Sequence, residues 1–163
     1  MLLVANNADA PVLLRAAQAG VPAIVLSSRT HPETDALDGA VLAAVTESGA
    51  THILLAGYMK KLGKPTVDAF QGRVFNSHPA LLPAFGGQGM YGDRVHEAVL
   101  QSGAATSGAT VHRVTGEYDA GEILRQVEVP VLADDDVSSL GERVRAAERE
   151  LLVEVLADIA RGE

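Results

Sequence analysis

The sequence contains no cysteine and no tryptophan, and aromatic residues make up only 4% of it. Without cysteine the chain cannot form disulfides, thiolate nucleophiles or cysteine-ligated metal sites. A core with so few aromatic residues has to consist of valine, leucine, alanine and isoleucine, a mix that suits a parallel sheet covered by helices. No apolar run is long enough to cross a bilayer, and residues 1–5 lack the basic region and the length of a signal peptide.

Positive charge is also scarce. Lysine and arginine number 13 against 21 acidic residues, which gives a net charge of -8 and a pI of about 5.0. An acidic chain repels phosphate backbones and anionic lipids, so we expect neither a nucleic-acid nor a membrane partner. A small anionic substrate would need a local cationic or dipolar site. The lack of cysteine is compatible with the cytoplasm, where we place the protein.

The first half of the chain alternates short apolar runs with helical patterns. Strands are expected at residues 2–5, 21–26, 52–56 and, for the end of a fourth, 74–76. Asp9 is interpreted as the cap of a helix that ends at Gly20, and a second helical pattern runs from Pro32 to about Gly49. This alternation predicts an α/β fold: an open, mostly parallel twisted sheet with helices on its faces.

The second half of the chain has longer β-rich runs and one long helical pattern. Residues 109–114 and 123–131 are β-rich and flank a turn-prone stretch, so we expect a pair of longer strands beside the parallel sheet. An apolar stripe at helical spacing then predicts a long amphipathic helix; it comprises Val137, Leu140, Val144, Ala147, Leu151, Val155 and Ile159. With no repeat and no linker, residues 1–163 are interpreted as one domain.

Candidate chemistry lies where ligands bind in open α/β sheets, beyond the carboxyl ends of the strands. Asn76 and His78 are two residues apart, so an extended backbone places both side chains on one face. An amide donor beside an imidazole suits a carbonyl that becomes an oxyanion. Taken alone, the pair is better interpreted as a polar end to a strand.

Other polar residues also allow two interpretations. Asp119 either stabilises its own turn or orients His78 and helps to pass a proton. His112, in an alternating strand, is interpreted as a structural histidine. Glu148 lies near the buried stripe of the last helix, where it either pairs with Arg145 or Arg149 or binds substrate.

Two further features argue against other kinds of site. His31, His52 and His96 have no partner at metal-ligand spacing, so we predict no metal. The glycines at residues 86, 87 and 89 lack the spacing and the lysine of a phosphate-binding loop, which favours a mobile loop that lines or covers the site.

Taken together, the ordered motifs resemble the phosphoribosylglycinamide formyltransferase family, also called glycinamide ribonucleotide transformylases. The likeness extends over essentially the whole chain. It rests on Ala-Asn-Asn-Ala-Asp-Ala at residues 5–10, Leu-Ala-Gly-Tyr-Met at 55–59, Asn-Ser-His-Pro-Ala-Leu-Leu-Pro at 76–83, Ser-Gly-Ala-Thr-Val-His at 107–112, Asp-Ala-Gly at 119–121 and the helix at 142–148.

The resemblance implies a reaction and a set of residues. 10-Formyltetrahydrofolate would donate its formyl group to the glycyl amine of the ribonucleotide in purine synthesis, through a tetrahedral oxyanion and without metal. Asn76 and His78 match the family's oxyanion-stabilising pair and Asp119 its essential carboxylate, while Met59 and Glu148 match positions near the nucleotide. The implied folate-binding residues are Tyr58, Met59, Lys60, Lys61, Leu62, Gly116, Glu117, Tyr118, Asp119, Ala120 and Gly121.

The sequence also departs from the family pattern. Roughly thirty residues at the start of family members, a strand and a loop that binds phosphate at a helix N-terminus, have no counterpart here. We therefore expect exposed apolar surface and weak or no transfer to the nucleotide. The explanations are a truncated or misplaced start, or a natural short form completed by a partner or as a homodimer. Residues 84–95 are a second departure, interpreted as a subgroup variation.

Rival functions stay open from sequence alone. One is a related enzyme, either a sugar-nucleotide formyltransferase or a formyltetrahydrofolate hydrolase. An aminoacyl-tRNA formyltransferase is disfavoured, because it should carry an extra basic domain. The other is a non-catalytic module that binds folate.

Overall fold

The computed structural model of the chain describes residues 1–162. Six strands and five helices follow one another in these residues, in the α/β pattern expected from sequence. They are β1 (Leu3–Ala5), α1 (Pro11–Gln18), β2 (Ala23–Val25), α2 (Thr34–Glu47), β3 (Ile53–Leu55), α3 (Lys64–Ala69), β4 (Val74–His78), α4 (Asp93–Ser102), β5 (Thr106–Arg113), β6 (Ile123–Pro130) and α5 (Val137–Arg161).

The chain divides into two compact units. The first consists of Met1–Ile53 with Leu62–Gln71, and the second of Leu54–Lys61 with the chain from Gly72 onward. In the first unit, β1 and β2 pair in parallel, with Leu3 opposite Ala23, and α1 packs against both strands. The expectation of one domain over residues 1–163 stays a prediction.

The remaining strands form a four-stranded sheet in the order β3-β4-β5-β6. Both β4–β5 and β5–β6 pair in antiparallel fashion, which confirms the expected pair of longer strands. The hydrogen-bonded strands thus form two sheets, whereas one sheet was expected from sequence. Apolar runs locate strands but do not identify their hydrogen-bonding neighbours.

The main core lies between this sheet and α5, whose apolar stripe confirms the predicted amphipathic helix. α5 packs against β5 and β6, and the buried residues of the cluster are Phe75, Val99, Ala109, Val111, Val129, Leu140, Val144, Leu151 and Val155. The helix starts at a capping box: the Asp136 carboxylate accepts from the Ser139 amide at 2.8 Å. Just before it, Asp135 binds Arg143 through two contacts of 2.7 Å.

Local predictions were wrong at two places. Asp9 does not cap α1; its own amide donates to the Asn7 side chain, and Ala10 precedes a helix that begins at Pro11. Proline is preorganised for the first helical position and has no amide hydrogen that would need a partner there. Helices α3 and α4 were not predicted, and α4 begins at Asp93, inside residues 84–95, which were interpreted as a subgroup variation.

Candidate functional site

The antiparallel pairing of β4 and β5 brings polar side chains onto one face of the sheet. Asn76 lies opposite His112, and His78 opposite Thr110. Because side chains alternate along a strand, these four residues share a face. Phe75, which precedes Asn76 on β4, instead belongs to the core beneath α5.

Asp119 joins this face from the loop between β5 and β6. Its Oδ2 lies 3.6 Å from His78 Nδ1 and its Oδ1 lies 3.4 Å from His112 Nε2, while Asn76 Nδ2 is 3.2 Å from the same His112 nitrogen. The side chains of His78, His112 and Asp119 are each at most 10% exposed. We call Asn76, His78, His112 and Asp119 the polar cluster; it brings together the three residues proposed as catalytic from sequence.

The proton on His78 is located by its backbone partner. His78 Nε2 lies 2.7 Å from the carbonyl oxygen of Phe85. A carbonyl oxygen only accepts hydrogen bonds, so Nε2 is the donor and carries a proton. His78 Nδ1 is therefore the nitrogen that faces Asp119.

His112 was interpreted as a structural histidine, but the structure includes it in the polar cluster. Its Nδ1 lies 2.9 Å from the Arg113 carbonyl oxygen and so carries a proton. Nε2 then accepts from Asn76 when the ring is neutral, or donates to Asp119 when it is protonated; it cannot do both at once. An available sequence signal was its position on the strand directly before the Asp119 loop.

Asp119 is held as a carboxylate. Burial by itself raises the pKa of Asp119. Hydrogen bonds from His112 and from the Gly87 amide, together with the charges of the imidazoles, lower it by more than burial raises it, so the pKa lies below its usual value. The Gly87 amide donates to Oδ2 at 2.9 Å. Asp119 is thus ionised at neutral pH and available as a proton acceptor between two imidazoles.

The two segments implied to bind folate contact each other. Lys61 Nζ lies 5.4 Å from the ring centroid of Tyr118, a cation–π contact. Tyr118 is 42% exposed and Met59 61% exposed, which leaves both available to a ligand. Lys60 is also exposed, whereas Leu62 is buried.

The second of these segments, residues 116–121, is mostly exposed apart from Asp119. Gly116, Glu117 and Ala120 are exposed, and the Glu117 amide donates to Thr115 Oγ1 at 3.3 Å. Gly121 passes so close to the Arg113 carbonyl that a Cβ at this position would collide with it. The loop is therefore anchored at its end while its middle remains open to solvent.

Glu148 is not part of the polar cluster. Its Oε1 accepts a hydrogen bond of 2.6 Å from the Ser77 hydroxyl, and Ser77 lies on the face of β4 that is turned to α5, opposite to Asn76 and His78. The partner of Glu148 is thus Ser77, rather than Arg145 or Arg149 as considered from sequence.

Residues 85–87 line the polar cluster, through the Phe85 carbonyl and the Gly87 amide. Within residues 1–162 no group of three or more histidine, aspartate or glutamate side chains is arranged to hold a metal ion. The described helices include none of the length and apolar character needed to span a membrane.

Known proteins resemble this chain over nearly its whole length. The formyl transferase family profile matches residues 1–156. The chain is 44% identical over 160 residues to a chloroplastic phosphoribosylglycinamide formyltransferase of Arabidopsis thaliana, covering 98% of this chain and 55% of that protein. It is 42% identical over 145 residues to the phosphoribosylglycinamide formyltransferase of Mycobacterium tuberculosis, covering 89% and 65%.

Solved structures agree with these relatives. The crystal structure of glycinamide ribonucleotide transformylase 1 from Symbiobacterium toebii superposes with a TM-score of 0.91 at 36% identity, covering 99% of this chain and 74% of that one. The chain spans about half the length of the plant relatives it matches, 55% and 50%. On the profile, the identities and the superposition, the chain belongs to the formyl transferase family.

Proposed function

We propose that the protein transfers the formyl group of 10-formyltetrahydrofolate to the glycyl amine of glycinamide ribonucleotide. The observation that carries this proposal is the polar cluster, in which an amide, two imidazoles and a carboxylate are joined by contacts of 3.2, 3.6 and 3.4 Å. The names of the relatives support the choice of substrates, since they are phosphoribosylglycinamide formyltransferases.

The first chemical step is attack of the amine on the formyl carbon, which makes the formyl oxygen an oxyanion. Asn76 has two amide hydrogens, and its contact with His112 uses only one of them. The second is free to donate to the oxyanion, and a protonated His78 supplies positive charge beside it. Such fixed donors stabilise charge as it develops, because they need no reorganisation during the reaction.

The second step moves a proton and breaks a bond. Asp119, which its lowered pKa keeps ionised at neutral pH, accepts the proton that the attacking nitrogen loses. When the tetrahedral intermediate collapses, the bond from the formyl carbon to N10 of the folate breaks, and Asp119 gives the proton it accepted to that nitrogen. The products are the formylated amine and tetrahydrofolate, and no covalent enzyme intermediate forms.

The substrate-binding residues follow from the family resemblance. The folate is assigned to residues 58–62 and 116–121, whose Lys61–Tyr118 contact supports a shared binding surface. The nucleotide is assigned to Met59 and Glu148, the latter through the carboxylate oxygen that Ser77 leaves free. A metal-free reaction, a cytoplasmic location and a homodimer of this chain stay predictions.

A formyl-transfer assay tests the proposal. The chain is incubated with 10-formyltetrahydrofolate and saturating glycinamide ribonucleotide, and formylated product is quantified by mass spectrometry. We expect slow product formation that disappears in Asp119→Asn, with no product from an amino-sugar nucleotide. Equal formylation of the sugar nucleotide, or release of formate with no transfer to either amine, would contradict the proposal.

A further inference from the structure

The three-residue segment Phe85–Gly86–Gly87 contacts both ionisable partners of the proposed proton transfer through its backbone. Phe85 accepts a hydrogen bond from His78 Nε2 at 2.7 Å. Two residues later, the Gly87 amide donates to Asp119 Oδ2 at 2.9 Å. One short stretch of main chain therefore orients an imidazole on β4 and a carboxylate on the loop after β5.

This double contact depends on the absence of a side chain at residue 86. A Cβ built on Gly86 would lie 2.5 Å from Leu82 Cδ2 and 3.2 Å from the Cβ of Asp119. The first distance is a collision, and the second requires Asp119 to move. Gly87 has a φ of 98°, which side chains of L-residues rarely allow.

Leu82, which a side chain at residue 86 would meet, is fixed by two other hydrogen bonds. The Leu82 amide donates to Thr110 Oγ1 at 3.0 Å, and Gln126 Nε2 donates to the Leu82 carbonyl at 2.9 Å. These bonds fix the backbone of Leu82, and its side chain is buried, at 5% exposed. An added side chain at residue 86 would therefore have to displace both the Leu82 side chain and Asp119.

We propose that Gly86 and Gly87 are positioning residues, which let the main chain approach closely enough to fix Asp119 between the two imidazoles and to turn His78 Nδ1 toward it. This inference rests on the proposed function for its catalytic meaning. Its geometric content concerns only where Asp119 and His78 are held.

Displacement of Asp119 from these contacts changes its pKa in a definite direction. The titratable groups that face Asp119 are His78 from β4 and His112 from β5, and the Gly87 amide adds a hydrogen bond. All three favour the carboxylate and lower the pKa of Asp119. Moving Asp119 out of these contacts raises that pKa, so the carboxylate becomes protonated at a higher pH.

The test compares wild-type protein with Gly86→Ala and Gly87→Ala by NMR. The side-chain 13C signal of Asp119 is titrated against pH, and the 15N shifts of His78 report which ring nitrogen carries the proton. We expect the pKa of Asp119 to rise in Gly86→Ala, because the carboxylate leaves the contacts that lower it, with altered 15N shifts of His78. In the transfer assay, kcat should fall by about tenfold or more, and the KM for folate should change little.

Gly103→Ala is the matched control. Gly103 also has a positive φ, 71°, and a Cβ there would meet nothing within 4 Å, so this variant carries backbone strain at the end of α4 without contact to the polar cluster. It should leave the Asp119 titration and kcat unchanged. Gly87→Ala, which adds strain but no collision, provides a second measurement if Gly86→Ala does not fold.

The outcomes separate the inference from the proposed function. Unchanged Asp119 and His78 signals in a folded Gly86→Ala or Gly87→Ala protein would overturn the inference, whatever the activity. A shifted Asp119 titration in a protein whose wild type transfers no formyl group would instead support the positioning role and overturn the function.

Discussion

The two faces of strands β4 and β5 differ in what they contribute to the molecule. One face carries Asn76, His78, Thr110 and His112, whose polar atoms make hydrogen bonds with side chains or backbone groups. The other face carries apolar residues such as Val111, packed beneath α5. The same two strands thus provide the candidate chemistry on one side and the hydrophobic stability on the other.

This separation has a physical reason. Side chains alternate with a period of two, so one strand can bury every second residue and leave the others free for polar contacts. Substitutions on the two faces should therefore have separable effects, on turnover or on the free energy of unfolding. Ser77 and Glu148 are the exception, because they place a polar pair on the α5 face.

The largest effect is expected for Asn76→Ala, on the polar face. Removal of one oxyanion donor lowers kcat by about 10²–10³-fold, because the developing charge loses a fixed dipole. The free energy of unfolding should change little, since Asn76 is only partly buried. Turnover by steady-state kinetics and stability by urea denaturation are measured on the same sample; normal turnover would refute the assignment.

Val111→Ala tests the opposite face of the neighbouring strand. Val111 is fully buried in the core, so loss of two methyl groups should lower the free energy of unfolding by about 2 kcal/mol. The kcat of the folded protein should equal that of wild type. A large loss of kcat below the unfolding transition would show that the two faces are not separable.

Glu148→Gln and Ser77→Ala together decide what the polar pair on the α5 face does. Glutamine keeps an oxygen that accepts from Ser77 but loses the charge, so the KM for the nucleotide should rise about tenfold without loss of stability. Ser77→Ala keeps the charge and loses one hydrogen bond, about 1 kcal/mol of stability. If Glu148→Gln leaves the nucleotide KM unchanged, Glu148 has no substrate-binding role.

The smallest effect is expected for Gln126→Glu, which removes the amide that donates to the Leu82 carbonyl and to Thr110. The free energy of unfolding should fall by about 0.5–1.5 kcal/mol, measured by thermal denaturation. Glu128→Gln, on the same strand and exposed, is the matched control and should be neutral. An equal loss in both variants would mean that the Gln126 hydrogen bonds contribute nothing specific.

The parts of this arrangement that follow from a local periodicity of the sequence could be predicted. The heptad-like spacing from Val137 to Ile159 predicted α5, and the two-residue spacing of Asn76 and His78 predicted a shared face. The convergence of Asp119 on His78 came from the family resemblance, because a loop residue has no period that would place it.

The missed features depend on contacts between distant residues or on backbone atoms. His112 looked structural because its partners, Asn76 and Asp119, lie on another strand and in a loop. The roles of Phe85 and Gly87 are played by a carbonyl and an amide, which every residue type possesses. Helix α4 was missed because its apolar positions, Val95 and Val99, are few and follow a glycine-rich stretch.

Phe85 and Asp119 share an unusual backbone property: both are non-glycine residues with positive φ, 57° and 52°. Such a conformation costs of the order of 1–3 kcal/mol for a residue other than glycine, and Phe85→Gly would remove that cost. Phe85 also packs against the main core, and the loss of its aromatic ring, together with the larger backbone entropy of glycine in the unfolded chain, outweighs that gain. The side chain that anchors Phe85 in the core therefore also holds the carbonyl that orients His78, so selection for stability and selection for turnover act in the same direction at this residue.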